Sequence, residues 1–233
     1  MGGEMAKQKE AVGEQLTLPE ARTWGGRRAN AGRKRGIHIA HGPRPEHDFR
    51  HPVHITLRAV KGLPSFRTPL LYGEIERSIR ATRRPDFRIN EFSVQDDHVH
   101  LISEGDDKRA LSRGMSSFKV RAAARIKRAL GLARGPIWQE RYHRRDLTSP
   151  KQVRNALVYV IANYKKHFRM TDGKPRIDAC SSAPWFAGWI SERSRPPETP
   201  SPVEPSCTWL GRTEWKRHGL IHPGEAPRTP HRF

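Results

Sequence analysis

Residues 87–103 carry the pattern that most restricts what this chain can fold into. Two apolar runs, 87–95 and 99–103, flank Asp96-Asp97 and read as the two strands of a hairpin closed by a tight turn. Successive side chains of a strand point to opposite faces, so His98 and His100 project together while Val99 packs behind them. Two imidazoles on one face can hold one metal ion. With 12 histidines in 233 residues, chance supplies roughly 0.6 such pairs, so the pair gains meaning only from its surroundings.

Those surroundings are regular. Val53, Ile55 and Leu57 alternate with His54, Thr56 and Arg58, a strand signature of period two. After Gly62-Leu63-Pro64, the positions Leu71, Tyr72, Ile75 and Ile79 recur at helical spacing and stop before Arg84-Pro85. A long helix over 107–130 follows the hairpin, with Leu111, Met115, Phe118, Ala122, Ile126 and Leu130 on one stripe. Residues 131–136 break it and 137–147 read as a further strand. Ser149 and Pro150 then fit the N-cap and first position of a last helix. Strand, helix, strand, strand, helix, strand, helix predicts an α+β fold, a ferredoxin-like antiparallel sheet covered by helices.

The flanks differ in composition. Residues 1–47 are rich in Gly, Arg, Lys and Pro and read as a flexible basic arm, whereas 171–233 hold Trp185, Trp189, Trp209 and Trp215 around a Pro-rich stretch and read as an irregular extension. The folded domain is thus expected over 48–170. A net charge of +20, from 44 Lys and Arg against 24 Asp and Glu, attracts polyanions and makes nucleic acid the leading partner. Cys180 and Cys207 lack Cys-x-x-Cys spacing, so no zinc ribbon or disulfide framework is indicated. With no apolar leader and no run approaching eighteen apolar residues, the expectation is a cytoplasmic, nucleoid-associated protein with no membrane partner.

The last helix can be read by angle, each residue advancing about 100°. Val153, Ala156, Leu157, Val160 and Ile161 mark the core face; Tyr164 falls near its centre, while Tyr159 and Asn163 share a flank with Gln152 and Lys166 nearby. Tyr164 therefore suits packing and Tyr159 suits chemistry, the bland alternative being a boundary tyrosine whose hydroxyl meets water. A carboxamide at Asn163 can add to a metal shell begun by His98 and His100. His51-Pro52-Val53-His54 is a rival metal cluster, but spacing i, i+3 sends its histidines to opposite faces of a strand.

Several phrases together carry a resemblance: His98-Val99-His100, Phe92-Ser93-Val94-Gln95 before it, Trp138-Gln139-Glu140-Arg141-Tyr142-His143, and the helix from Arg154 to Asn163. They resemble the single-tyrosine HUH transposases, nearest to the REP-associated tyrosine transposases of the insertion-sequence group. The resemblance implies that His98 and His100 are the metal-binding histidines, Tyr159 the nucleophile and Asn163 the polar residue that helps bind metal. It also implies cleavage and transfer of single-stranded hairpin DNA through a 5′-phosphotyrosine. The chain departs from the pattern at Tyr164, where Pro is usual after the Asn, and at Asp97, where Asn is frequent.

Two imidazoles alone also suit zinc; the resemblance favours Mg²⁺ or Mn²⁺. For the DNA, Trp138 and Tyr142 are candidates to stack unpaired bases, and Arg33, Lys34, Arg35, Lys119, Arg121, Arg141 and Lys166 are candidates to meet phosphates. Lys166 is also placed to assist the tyrosine. The absence of Gly-x-x-x-x-Gly-Lys-Ser/Thr fits a transesterification that needs no ATP. The other readings are a non-catalytic hairpin-binding regulator of the same fold and a different HUH nuclease. A homodimer in which each tyrosine helix serves its partner is an open arrangement.

Overall fold

The computed structural model describes residues 42–162, 177–190 and 197–227. Four strands and three principal helices follow in the expected order: β1 (Val53–Arg58), α1 (Pro69–Arg80), β2 (Phe87–Val94), β3 (His98–Gly105), α2 (Lys108–Ala129), β4 (His143–Asp146) and α3 (Pro150–Ile161). The strands form one sheet of order β2-β3-β1-β4, with every neighbouring pair antiparallel. This is the strand order of a ferredoxin-like sheet.

Local chemistry sets the helix starts. Thr68, Asp107 and Ser149 each accept a hydrogen bond from a first-turn amide, at 3.4, 2.6 and 3.3 Å, and Pro69 and Pro150 occupy the first turns of α1 and α3. Helices α1 and α2 cover one sheet face over Val53, Ile55, Leu57, Phe92, Val99 and Leu101, all buried. Their approach is close: a Cβ on Gly114 of α2 would stand 2.1 Å from Phe87 Cγ on β2. Helix α3 lies with Ile102 and Leu147 in a second apolar cluster. A sheet buried on both faces explains why β2 and β3 read as nearly continuous apolar runs.

The fourth strand is shorter than the expected 137–147. Only His143–Asp146 pair with β1, and Trp138 adds an isolated bridge to Ala59. The intervening aromatic residues turn inward instead of extending the ladder. The packed chain also begins before residue 48, because the Arg44 guanidinium lies 3.7 Å from the Tyr142 ring centre and the His47 ring meets the Gly105 carbonyl at 3.1 Å. The expected basic arm falls almost wholly outside the described residues.

The C-terminal segments pack on the domain. Cys180 accepts from the Val94 amide and Ser182 donates to the Phe92 carbonyl, so 180–182 add to the otherwise free edge of β2. Asp178 holds them there with a two-pronged ion pair to Arg67, at 2.6 and 3.0 Å. Covering an edge strand in this way blocks pairing with another chain. Trp215 is buried in the second cluster, whereas Trp209 remains exposed.

Candidate active site

The candidate site lies on the face of β1 and β3 that carries His54, Thr56, His98 and His100. Strand register places Thr56 opposite His100 and His54 opposite Ile102. Both hairpin histidines are held at Nδ1. The Asp97 carboxylate accepts from His98 Nδ1 at 2.6 Å, and His100 Nδ1 meets Thr56 Oγ1 at 3.1 Å and His54 Nε2 at 3.2 Å. The two Nε2 atoms consequently turn toward each other and stand 3.0 Å apart.

That spacing suits a shared metal ion. Two nitrogens bound at about 2.0–2.1 Å and roughly 90–110° apart are separated by about 2.8–3.4 Å. A carboxylate can only accept, so His98 carries its proton on Nδ1 and, when neutral, presents a lone pair at Nε2. Thr56 and His54 offer His100 Nδ1 the same service, which is how partners around a ligating histidine fix its tautomer and orientation. Among the described residues no cluster of three or more His, Cys, Asp or Glu forms a complete shell. The donor set present therefore fits two imidazoles with the remaining positions open to oxygen ligands.

Helix α3 delivers Tyr159 to this pair from the same chain. Its ring centre is 5.0 Å from that of His100 and 5.5 Å from that of His54, both edge-on. The core-facing Val153, Ala156, Leu157, Val160 and Ile161 are buried as the angular reading requires, and Tyr159 is only partly buried beside them. Burial raises the Tyr159 phenol above its usual range, and the Arg58 cation opposes that shift. Arg58 also reaches Asp97 at 3.9 Å. Asn163, Tyr164 and Lys166 lie outside the described residues, as do Arg33, Lys34 and Arg35.

His54 is the residue sequence reasoning set aside. Spacing i, i+3 separates it from His51, yet strand alternation alone places His54 on the Thr56 face. Burial, reinforced by nearby His143 and Arg145, pushes its imidazole down to about 4, so it is neutral at ordinary pH. His143 and Arg145 sit opposite Thr56 and His54 on β4 and give this face a basic rim.

The expected stacking residues are corrected by the structure. Trp138 packs edge-on against Phe66 and donates from Nε1 to the Lys119 carbonyl at 3.0 Å, and Tyr142 is 7% exposed beneath Arg44. Both rings are core and offer no free face to a base. Lys119 and Arg141 do come together, beside Arg44; burial first, then these two cations, lowers the Lys119 ammonium. Arg121 is exposed on another side of α2, its Nε on Ser117 Oγ at 3.2 Å.

Residues 53–167 match the family model described as Transposase IS200 like. A solved structure of a REP-associated tyrosine transposase bound to a REP hairpin is similar over 57% of this chain and 76% of that chain, at 21% identity and a TM-score of 0.46. No curated protein sequence matches the chain.

Proposed function

Because residues 53–167 match the family model described as Transposase IS200 like, we propose that this chain cuts and rejoins single-stranded DNA with Tyr159 as nucleophile. The observation that carries the reading is the meeting of Tyr159 with two histidines whose Nε2 atoms converge at 3.0 Å. In this reaction the phenolic oxygen bonds to phosphorus, the bond to the 3′ oxygen breaks, and that oxygen leaves as a 3′ hydroxyl after taking a proton. The 5′ phosphate remains on the tyrosine. One ester replaces another, so the released hydroxyl of a second strand can reverse the step.

His98 and His100, with Asn163, would hold Mg²⁺ or Mn²⁺, which would supply Lewis-acid polarisation of the scissile phosphate when bound. Asp97, Thr56 and His54 orient the two imidazoles, and Arg58 stabilises negative charge as the phenol loses its proton. The partly buried position of Tyr159 limits competing attack by water. The rim formed by His143 and Arg145 and the patch of Arg44, Lys119 and Arg141 suit a phosphate backbone. A hairpin with flanking single strand is the substrate we assign. Among the described residues no helix is long and apolar enough to cross a membrane.

The test is incubation of the purified protein with Mn²⁺ or Mg²⁺ and an end-labelled hairpin carrying single-stranded flanks. A metal-dependent product that migrates with the protein under denaturing conditions is expected, together with a free 3′ hydroxyl on the other fragment. Binding without cleavage under both metals would overturn the enzymatic reading in favour of a hairpin-binding regulator.

A further inference from the structure

A second site lies between β2 and the C-terminal segments. The β2–β3 register shifts between Ile89 and Glu91, and this irregularity leaves Asn90 as an extra residue on its strand. Asn90 and Glu91 line a cavity of about 360 Å³, with Trp185, Phe186 and Trp215 among its walls and Arg212 and Lys216 also on its lining. Neither polar residue belongs to the mechanism above.

Both are unusual for a cavity wall. Asn90 is 4% exposed; its amide nitrogen donates to the Glu204 carbonyl at 3.1 Å, while Oδ1 has no hydrogen-bond partner. A buried acceptor left unmatched costs about 1–3 kcal/mol. Among the described residues Glu91 meets only Ser182 Oγ and forms no ion pair. Burial pushes its carboxyl up to about 8, so it is largely protonated at neutral pH. Asn90 Oδ1 and the carbonyl oxygen of the Glu91 carboxyl are thus acceptors in the wall of a space that is otherwise partly aromatic and whose cations are Arg212 and Lys216.

We propose that this cavity takes an unpaired nucleobase bearing an exocyclic amino group, held by Asn90 Oδ1 and the Glu91 carboxyl. The amino group supplies N–H donors to Asn90 Oδ1 and to the carbonyl oxygen of the Glu91 carboxyl, the partly exposed rings of Trp185 and Phe186 accept a planar ring, and Arg212 and Lys216 suit its phosphate. A cationic amine would satisfy the same acceptors but is disfavoured by those two cations and by the chain's net charge of +20. The assignment rests on the reading that this protein handles single-stranded DNA. It also places the site near the chemistry: Glu91 pairs across the sheet with Ile102, two residues beyond His100 on the same strand face. The base held there is therefore one close to the cleaved bond.

The experiment uses the full chain carrying Tyr159→Phe, so binding is read without cleavage. Fluorescence anisotropy is measured with 12-residue oligo(dT) and with the same strand containing a single dA, dC or dG, and free nucleoside monophosphates serve as competitors. At least one amino-bearing base should raise affinity by about tenfold over thymine. Glu91→Leu and Asn90→Ala should each remove that preference while leaving oligo(dT) binding unchanged; competition by the monophosphates would show that a free nucleotide suffices. A 5-iodocytosine photocross-link should map to Trp185 or Phe186. A preference that survives both substitutions in folded protein, equal binding of all four bases, or cross-links confined to other residues would overturn the proposal. Base preference without any covalent adduct from the wild-type chain would refute the nuclease reading alone, and an adduct without base preference would refute this one alone.

Discussion

His98 Nε2 and His100 Nε2 face each other at 3.0 Å because each ring is anchored through its other nitrogen, one on Asp97 and the other on Thr56 and His54. Two neutral imidazoles held this way would oppose lone pairs across that gap, a repulsion that a shared proton or a metal ion relieves. The arrangement makes the outer partners as testable as the histidines themselves.

Asp97→Ala should lower Mn²⁺ affinity by about 10- to 100-fold, the usual effect of removing a hydrogen-bonding partner of a ligating histidine. Calorimetric titration of the apo protein measures it. His98→Ala and His100→Ala should abolish binding at the same site, and unchanged affinity in all three variants would refute the metal assignment.

His54→Phe keeps the ring volume but removes the nitrogen that meets His100. We expect metal affinity to fall by about tenfold, with the global fold intact by circular dichroism. A variant that binds metal as tightly as the parent would show that Thr56 alone positions His100.

Glu91 gives a pH-dependent signature. Its folded value of about 8 stands above the unfolded value of 4.5, so between these values the folded state binds more protons and stability falls as pH rises. The penalty is absent below about pH 4.5 and complete above about pH 8. Glu91→Gln should therefore raise stability at pH 8.5 by on the order of 1–3 kcal/mol and leave it nearly unchanged at pH 4.5. Denaturant melts at the two pH values check the sign.

Gly114→Ala forces a methyl group into the Phe87 ring. Loss of about 1–3 kcal/mol is expected, as for other overpacked cores, and thermal melting measures it. Asp178→Ala, which removes the carboxylate paired with Arg67 and loosens 180–182 from β2, should cost about 3–5 kcal/mol, the range for breaking a buried ion pair.

Much of the fold is legible in periodicity because the sheet and three helices are amphipathic in the ordinary way. Asp107, Ser149 and Pro150 announce their helix starts, and the alternation at Val53, Ile55 and Leu57 fixes which face of β1 is core. Periodicity says nothing of which strand lies beside which. His54 was therefore missed: its importance arises from β1 pairing with β3, a contact 46 residues away in the chain. Trp138 and Tyr142 failed for a related reason, since an aromatic ring in an irregular segment has no period to say whether it faces water or core. The C-terminal cavity was equally hidden, built by long-range packing of Trp185 and Trp215 against β2 and α3.

The most direct measurement of the central claim is the identity of the residue that carries DNA. Cleavage after Arg154 and Lys165 by trypsin releases 155–165, a peptide containing both Tyr159 and Tyr164. After reaction with a hairpin substrate and Mn²⁺ and nuclease trimming of the attached strand, fragmentation mass spectrometry should place the nucleotide phosphate on Tyr159, and Tyr159→Phe should yield no modified peptide. A phosphate on Tyr164, or an adduct that persists in Tyr159→Phe, would contradict the account.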